Sequence, residues 1–180
     1  MIIENDTILL RSWQSYDAKE LYELAKSPSI GPAAGWNIHR DVNHSLEFIA
    51  KFWSNPYDFA IVDIKTNTLI GGISLMVGFK SLLSLPDNEA EIGYWIGEPY
   101  WNKGYATKAT NLLMDFAFNQ LGLNKLWCGY YDGNEASKRV QEKCGFKYQY
   151  TIHDMPCYVD GYPDMVIEHV TAVARFNRPV

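Results

Sequence analysis

Apolar and polar residues alternate over residues 7–13 (TILLRSW), which predicts a first strand. The spacing then changes. Leu21, Leu24 and Ala25 fall on one face of a helix predicted over 17–25. Helical spacing returns over 42–52 through Leu46, Ile49 and Phe52, and the intervening 27–40 is a loop rich in Gly, Pro, Ala and Trp. Two apolar runs, 59–64 and 69–77, flank the turn Lys65-Thr66-Asn67-Thr68 and predict a hairpin. A break at 84–88 precedes a strand over 89–96. A helix follows over 106–119, with Ala109, Leu112, Leu113, Phe116 and Ala117 as its apolar stripe. Residues 125–131 predict another strand, and 134–143 a helix that Gly145 ends in the manner of a C-cap. Strands over 146–152 and 165–170 complete the pattern. The expected architecture is α/β (α+β): a mixed sheet of about seven strands with helices on both faces.

The 180 residues suit one domain with a proper core, taken as 1–180 with its core over about 7–170. A net charge of −5 argues against nucleic-acid binding and leans toward a cationic partner or substrate. Cys128, Cys144 and Cys157 have no metal-like spacing, and His39, His44, His153 and His169 are scattered, so no metal site is expected. The first residues lack the basic-then-apolar pattern of a signal peptide, and no apolar run reaches membrane-spanning length. These features lead to the expectation of a cytoplasmic protein without a membrane partner.

The most informative stretch is 100–109 (YWNKGYATKA), a basic, glycine-containing turn between the 89–96 strand and the long amphipathic helix. A helix N-terminus leaves backbone N–H groups without internal partners and favours negative charge. Gly104 and Ala106 lack bulk, so a phosphate can approach those amides. A dinucleotide-binding turn fits less well, because its three-glycine fingerprint is missing.

Three blocks in register resemble the GNAT N-acyltransferases, and within them the RimJ/RimL-like branch of ribosomal-protein N-terminal acetyltransferases. They are Ala90-Glu91-Ile92-Gly93-Tyr94-Trp95-Ile96, then Tyr100-Trp101-Asn102-Lys103-Gly104-Tyr105-Ala106-Thr107, then Asn134-Glu135-Ala136-Ser137 running into Glu142-Lys143-Cys144-Gly145-Phe146. Trp101 stands where the general pattern has Gln or Arg. The resemblance implies a sheet splayed into a V between its fourth and fifth strands, with acetyl-CoA in the gap. It implies that backbone amides of Asn102, Lys103, Gly104, Tyr105, Ala106 and Thr107 hold the diphosphate, Lys103 either adding charge or lying solvated. Ile96 and Gly97 would lend backbone groups to the pantetheine amides. Asn134 would contact the pantetheine arm, cap the following helix, or do both.

The same resemblance implies an acetyl-CoA-dependent N-acetyltransferase acting on a primary amine, either a protein α-amine or a small-molecule amine. The amine would attack directly within a ternary complex. Amines are largely protonated near pH 7, so a base is needed. Glu91 is its candidate, with Glu89 in reserve on the same strand face. Ser137 is the candidate for assisting the thiolate and for touching the cofactor, with Tyr131 and Tyr130 as alternatives; Cys144 reads as a small core residue. The loops around 31–41 and 154–162 correspond to substrate-gating regions, which makes Trp36, Tyr94, Tyr158 and Tyr162 candidate acceptor contacts. Homodimerisation is common in the family. The competing class is a non-catalytic acyl-CoA-binding regulatory module, for which Glu91→Gln is the discriminating substitution.

Overall fold

The computed structural model describes residues 1–175; the predicted domain limit at Val180 lies outside them. One eight-stranded sheet organises them in the order β1-β2-β3-β4-β5-β6-β8-β7. Its strands are β1 (Ile2–Glu4), β2 (Ile8–Ser12), β3 (Asp58–Asp63), β4 (Thr68–Val77), β5 (Glu89–Ile96), β6 (Lys125–Tyr131), β7 (Lys147–Pro156) and β8 (Met165–Ala174). The helices are α1 (Ala18–Ala25), α2 (Val42–Phe52), α3 (Tyr105–Asn119) and α4 (Glu135–Lys143). Every neighbouring pair is antiparallel except β5 with β6.

Strand alternation sends side chains to two separate cores. On one face Ile73, Ala90, Ile92, Leu126 and Cys128 pack under α3, whose Ala109, Leu113, Phe116 and Ala117 recur at helical spacing. On the other face Ala60, Val62, Leu69 and Trp95 pack against Trp13, Leu21 and Ala25 of the α1 region and Ile49 of α2. Trp13, Trp53 and Trp95 stack there with ring centroids 4.3 to 6.3 Å apart.

Four local expectations are corrected. The sheet gains β1, three residues held by pairing to β2, too short to show a period. The first helix is preceded by a 3-10 turn, Ser15–Asp17, where the Asp17 carboxylate accepts from the Gln14 N–H and pairs with Arg11 at 2.7 Å. The loop before α2 contains a second such turn, Pro32–Ala34. The last two strands run on to Pro156 and Ala174, because β8 lies between β6 and β7 and draws pairing along its whole length.

Candidate active site

The β5–β6 pairing stops early. Cross-strand partners run only from Glu89↔Lys125 to Glu91↔Trp127, although both strands continue for several residues. Beyond Glu91 the sheet opens. The Gly97 N–H donates to the Ile70 carbonyl at 2.9 Å, which fixes the alternation of the β4–β5 ladder. The peptide groups of Ile92, Tyr94 and Ile96 therefore face away from β4; the Ile92 N–H closes the last β5–β6 pair, and the Ile92 carbonyl, both Tyr94 groups and the Ile96 N–H face the opening. There they present the donors and acceptors that an extended amide-bearing chain needs. Gly97 itself is committed to β4, and the Ile96 carbonyl accepts from the Trp101 indole at 2.6 Å. The non-consensus Trp101 thus ties the turn to the end of β5.

At the mouth of the opening stands α3, whose N-terminus has no side-chain cap. The first amides of a helix lack internal partners; here they belong to Tyr105, Ala106 and Thr107, while the Lys108 N–H already reaches the Gly104 carbonyl. Asn102 and Gly104 are both left-handed, at φ 60° and 78°, which turns the exposed chain 101–104 around the helix end. This cradle fits a diphosphate. Lys103 donates to the Pro99 carbonyl at 2.8 Å and lies over the Tyr100 ring. Tyr105 donates to Asp63 at 2.9 Å, fixing the first turn of α3 to β3.

Further along, on the α3–α4 face, the Ser137 N–H is capped by the Asn134 side-chain oxygen at 3.1 Å. The Ser137 hydroxyl lies 3.0 Å from the Tyr94 hydroxyl and accepts from Gln141 at 3.2 Å. Gln141 is buried, donates to the Gly129 carbonyl and accepts from Thr171. Burial raises the Tyr94 hydroxyl far above its ordinary pKa, so it remains a protonated donor. Tyr94 therefore joins Ser137 rather than the acceptor side.

Glu91 projects from the opposite face and is 8% exposed. Its carboxylate accepts from the Ser81 hydroxyl at 2.6 Å and from the Leu82 amide. Burial raises its pKa and those two donors pull it back. Glu89 accepts from the Trp127 indole. A further carboxylate, absent from the sequence-based candidates, shares this face: Glu168 of β8, 9% exposed and opposite Tyr131 of β6. Burial first, and the Glu91 charge second, push its pKa up to about 7. Tyr131 is pushed up to about 12 by burial, then by these carboxylates and Cys157. Tyr130 instead packs on His169.

The two predicted gating segments meet. The Asp160 N–H donates to the Asn37 side chain at 2.7 Å, and a Cβ on Gly35 would lie 2.9 Å from the Tyr131 hydroxyl. Trp36 packs among Trp53, Trp95, His39 and Phe48. Tyr158 is 86% exposed and Tyr162 is also at the surface, so both stand on the rim. Cys144 is buried in the core beside α3. Among the described residues no group of His, Cys, Asp and Glu is arranged to hold a metal ion, and no helix is long and apolar enough to cross a membrane.

Residues 7–147 match the family model described as "Acetyltransferase (GNAT) domain". The "Putative ribosomal N-acetyltransferase YdaF" of Bacillus subtilis (strain 168) is 39% identical over 165 residues, covering 87% of this chain and 86% of that protein. A GNAT-family acetyltransferase from Bacillus anthracis superposes with a TM-score of 0.80 at 21% identity, covering 98% and 99% of the two chains. A spermidine N-acetyltransferase from Vibrio cholerae, solved with CoA and spermine, superposes at 0.73 with 18% identity over 96% and 98%. The chain belongs to the GNAT acetyltransferase family. It is an N-acetyltransferase, and its acetyl donor is acetyl-CoA.

Proposed function

We propose that this enzyme acetylates a primary α-amine at a protein N-terminus by direct attack within a ternary complex, in the manner of the RimJ/RimL-like branch. The observation that carries the reading is the opening between β5 and β6. One end meets the uncapped α3 N-terminus, and its two sides carry different chemistry. Acetyl-CoA supplies an activated thioester. The residues 102–107 hold its diphosphate through backbone N–H groups, and the peptide groups of Ile92, Tyr94 and Ile96 orient the pantetheine arm. Ser137, paired with Tyr94, meets the sulfur and returns a proton to it. Glu91 draws in the acceptor's ammonium form, and the nitrogen loses its proton on that face.

A ribosomal acceptor is supported by YdaF, a relative named as a ribosomal N-acetyltransferase and 39% identical over most of this chain. An α-amine, with a pKa of about 7.7–8.0, is also easier to deprotonate than lysine at about 10.4. A homodimer is the assembly to seek by light scattering, and the cytoplasm is the proposed place of work. The test is incubation with acetyl-CoA and a panel of peptides with free N-termini, lysine side chains and spermidine. Free thiol and mass spectrometry are the readouts. Acetylation confined to spermidine would replace the protein acceptor with a polyamine, and no transfer to any amine would refute the reading.

A further inference from the structure

We infer that Glu168 is a further catalytic residue of this enzyme: its carboxylate, laid across β6 through the space left by Gly129, takes the proton that the acceptor amine releases. The inference rests on the acetyl transfer proposed above and adds to it a residue outside the three motif blocks.

The geometry is specific. A Cβ built on Gly129 would lie 1.7 Å from a Glu168 carboxylate oxygen and 2.7 Å from its carboxyl carbon. Any other residue at 129 would occupy the carboxylate's place. The lack of a side chain there lets Glu168 reach from β8 over β6 toward the opening, on the face that Glu91 shares. Gly129, paired to Val170 of β8, lies on the part of β6 that does not pair with β5, beyond Trp127 where those strands part.

Burial without a partner is the second observation. Glu168 is 9% exposed and its carboxylate accepts no hydrogen bond from the described residues, yet its oxygens are not sealed inside the protein and keep contact with solvent. Buried carboxylates are ordinarily paired or hydrogen-bonded, because leaving them so costs stability. Folds retain such groups at functional sites. The other two carboxylates of this face are engaged: Glu91 by Ser81 and Leu82, Glu89 by Trp127. Glu168 alone of the three keeps its acceptor sites open.

The titratable groups around it are Glu91 from β5, Cys128 and Tyr131 from β6, and Tyr150 from β7. None is cationic. Burial and the Glu91 charge together hold the Glu168 proton affinity near neutrality, where a general base is most effective. Two carboxylates separated in proton affinity by their surroundings divide the labour: ionised Glu91 attracts the ammonium group, and Glu168 receives its proton. The balance closes. The ammonium nitrogen loses one proton to Glu168 and attacks; the nitrogen–carbon bond forms and the carbon–sulfur bond breaks. The nitrogen's second proton leaves through solvent as the adduct collapses, and the departing thiolate takes one from the Ser137 side, which solvent replaces.

The experiment compares wild type with Glu168→Gln and Gly129→Ala, measuring kcat and kcat/KM from pH 5.5 to 9 with one amine. Acetyl-CoA affinity is followed by calorimetry. Taking the wild-type to variant ratio cancels the amine's own titration. The expected result for Glu168→Gln is a fall in kcat of about 100-fold or more, as for loss of a general base. The acid limb near pH 7 should vanish, while acetyl-CoA affinity stays within twofold. Glu168→Asp should keep that limb at reduced rate, and Gly129→Ala should lose rate although it removes no titratable group. A Glu168→Gln enzyme within threefold of wild type, or one with the same limb, overturns the assignment. A wild type that binds acetyl-CoA but acetylates no amine overturns both this inference and its parent reading, whereas a variant-specific loss of the limb belongs to Glu168 alone.

Discussion

Replacing Glu168 by Gln should make the protein more stable, and more so as pH rises. The native carboxyl has a pKa of about 7, against about 4.3 for an unperturbed glutamate. Between those two values the native state keeps a proton that the unfolded chain has released. Stability therefore falls as pH rises through this window and then levels off above it. At about 1.36 kcal/mol per pH unit, the loss comes to about 3.7 kcal/mol. Gln is close to the protonated acid in shape and carries no charge, so the variant escapes this loss. The difference between variant and wild type should be below about 1 kcal/mol at pH 4.5 and about 3.6 kcal/mol at pH 8. In a chain of this size that corresponds to about 7–14 °C in Tm. Urea titrations of both proteins at pH 5, 6, 7 and 8 measure it directly from the midpoints and slopes. A difference that does not change with pH would show that Glu168 titrates like an ordinary carboxyl, and the electrostatic reasoning about this face would fail. A stability gain accompanied by loss of turnover is the expected pairing for a strained functional group.

Gly104→Ala should weaken acetyl-CoA binding several-fold by calorimetry and cost about 1 kcal/mol in urea unfolding, because φ there is 78° while the space around it is open; unchanged affinity would detach the turn from the cofactor. Ser81→Ala removes a donor that favours ionised Glu91, so that carboxyl should hold its proton to higher pH, and acetyl transfer should fall more at pH 6 than at pH 8. An equal loss at both pH values would contradict this. Leu113→Ala, at a fully buried position under the sheet, should cost about 2–5 kcal/mol by urea midpoint with acetyl-CoA affinity retained in the folded fraction.

Much of the cofactor side was legible because it is local. The strand, turn and helix over 89–119 are consecutive, and Gly104 with Ala106 marks a helix start where amides stay open. Asn134 and Ser137 likewise sit three residues apart on one helix end. The acceptor side is assembled from distant segments. Glu168 in the run Val166-Ile167-Glu168-His169-Val170 reads as an ordinary polar position of a half-buried strand. It meets Gly129 only because β8 inserts beside β6, ahead of β7. A glycine within the aromatic strand 125–131 was the one local signal, since an interior strand glycine often marks a close approach. Tyr94 is among the acceptor candidates of the sequence reading. A register of three residues sends it to the other face, where it meets Ser137. The β7 strand outran its predicted end because His153, Asp154 and Pro156 are poor strand formers; an exposed edge with irregular register accommodates them.

The parting of β5 from β6 turns the sheet into a partition with a slot. In the proposed reading, sulfur chemistry and cofactor grip lie behind it, on the side of α3 and α4, and the incoming nitrogen is received in front, beside the segments joined by the Asp160–Asn37 hydrogen bond. New acceptors can therefore be accommodated by exchanging those two segments as one piece, with the thioester side left intact. A chimera carrying another family member's pair should inherit its choice of amine while keeping this chain's affinity for acetyl-CoA.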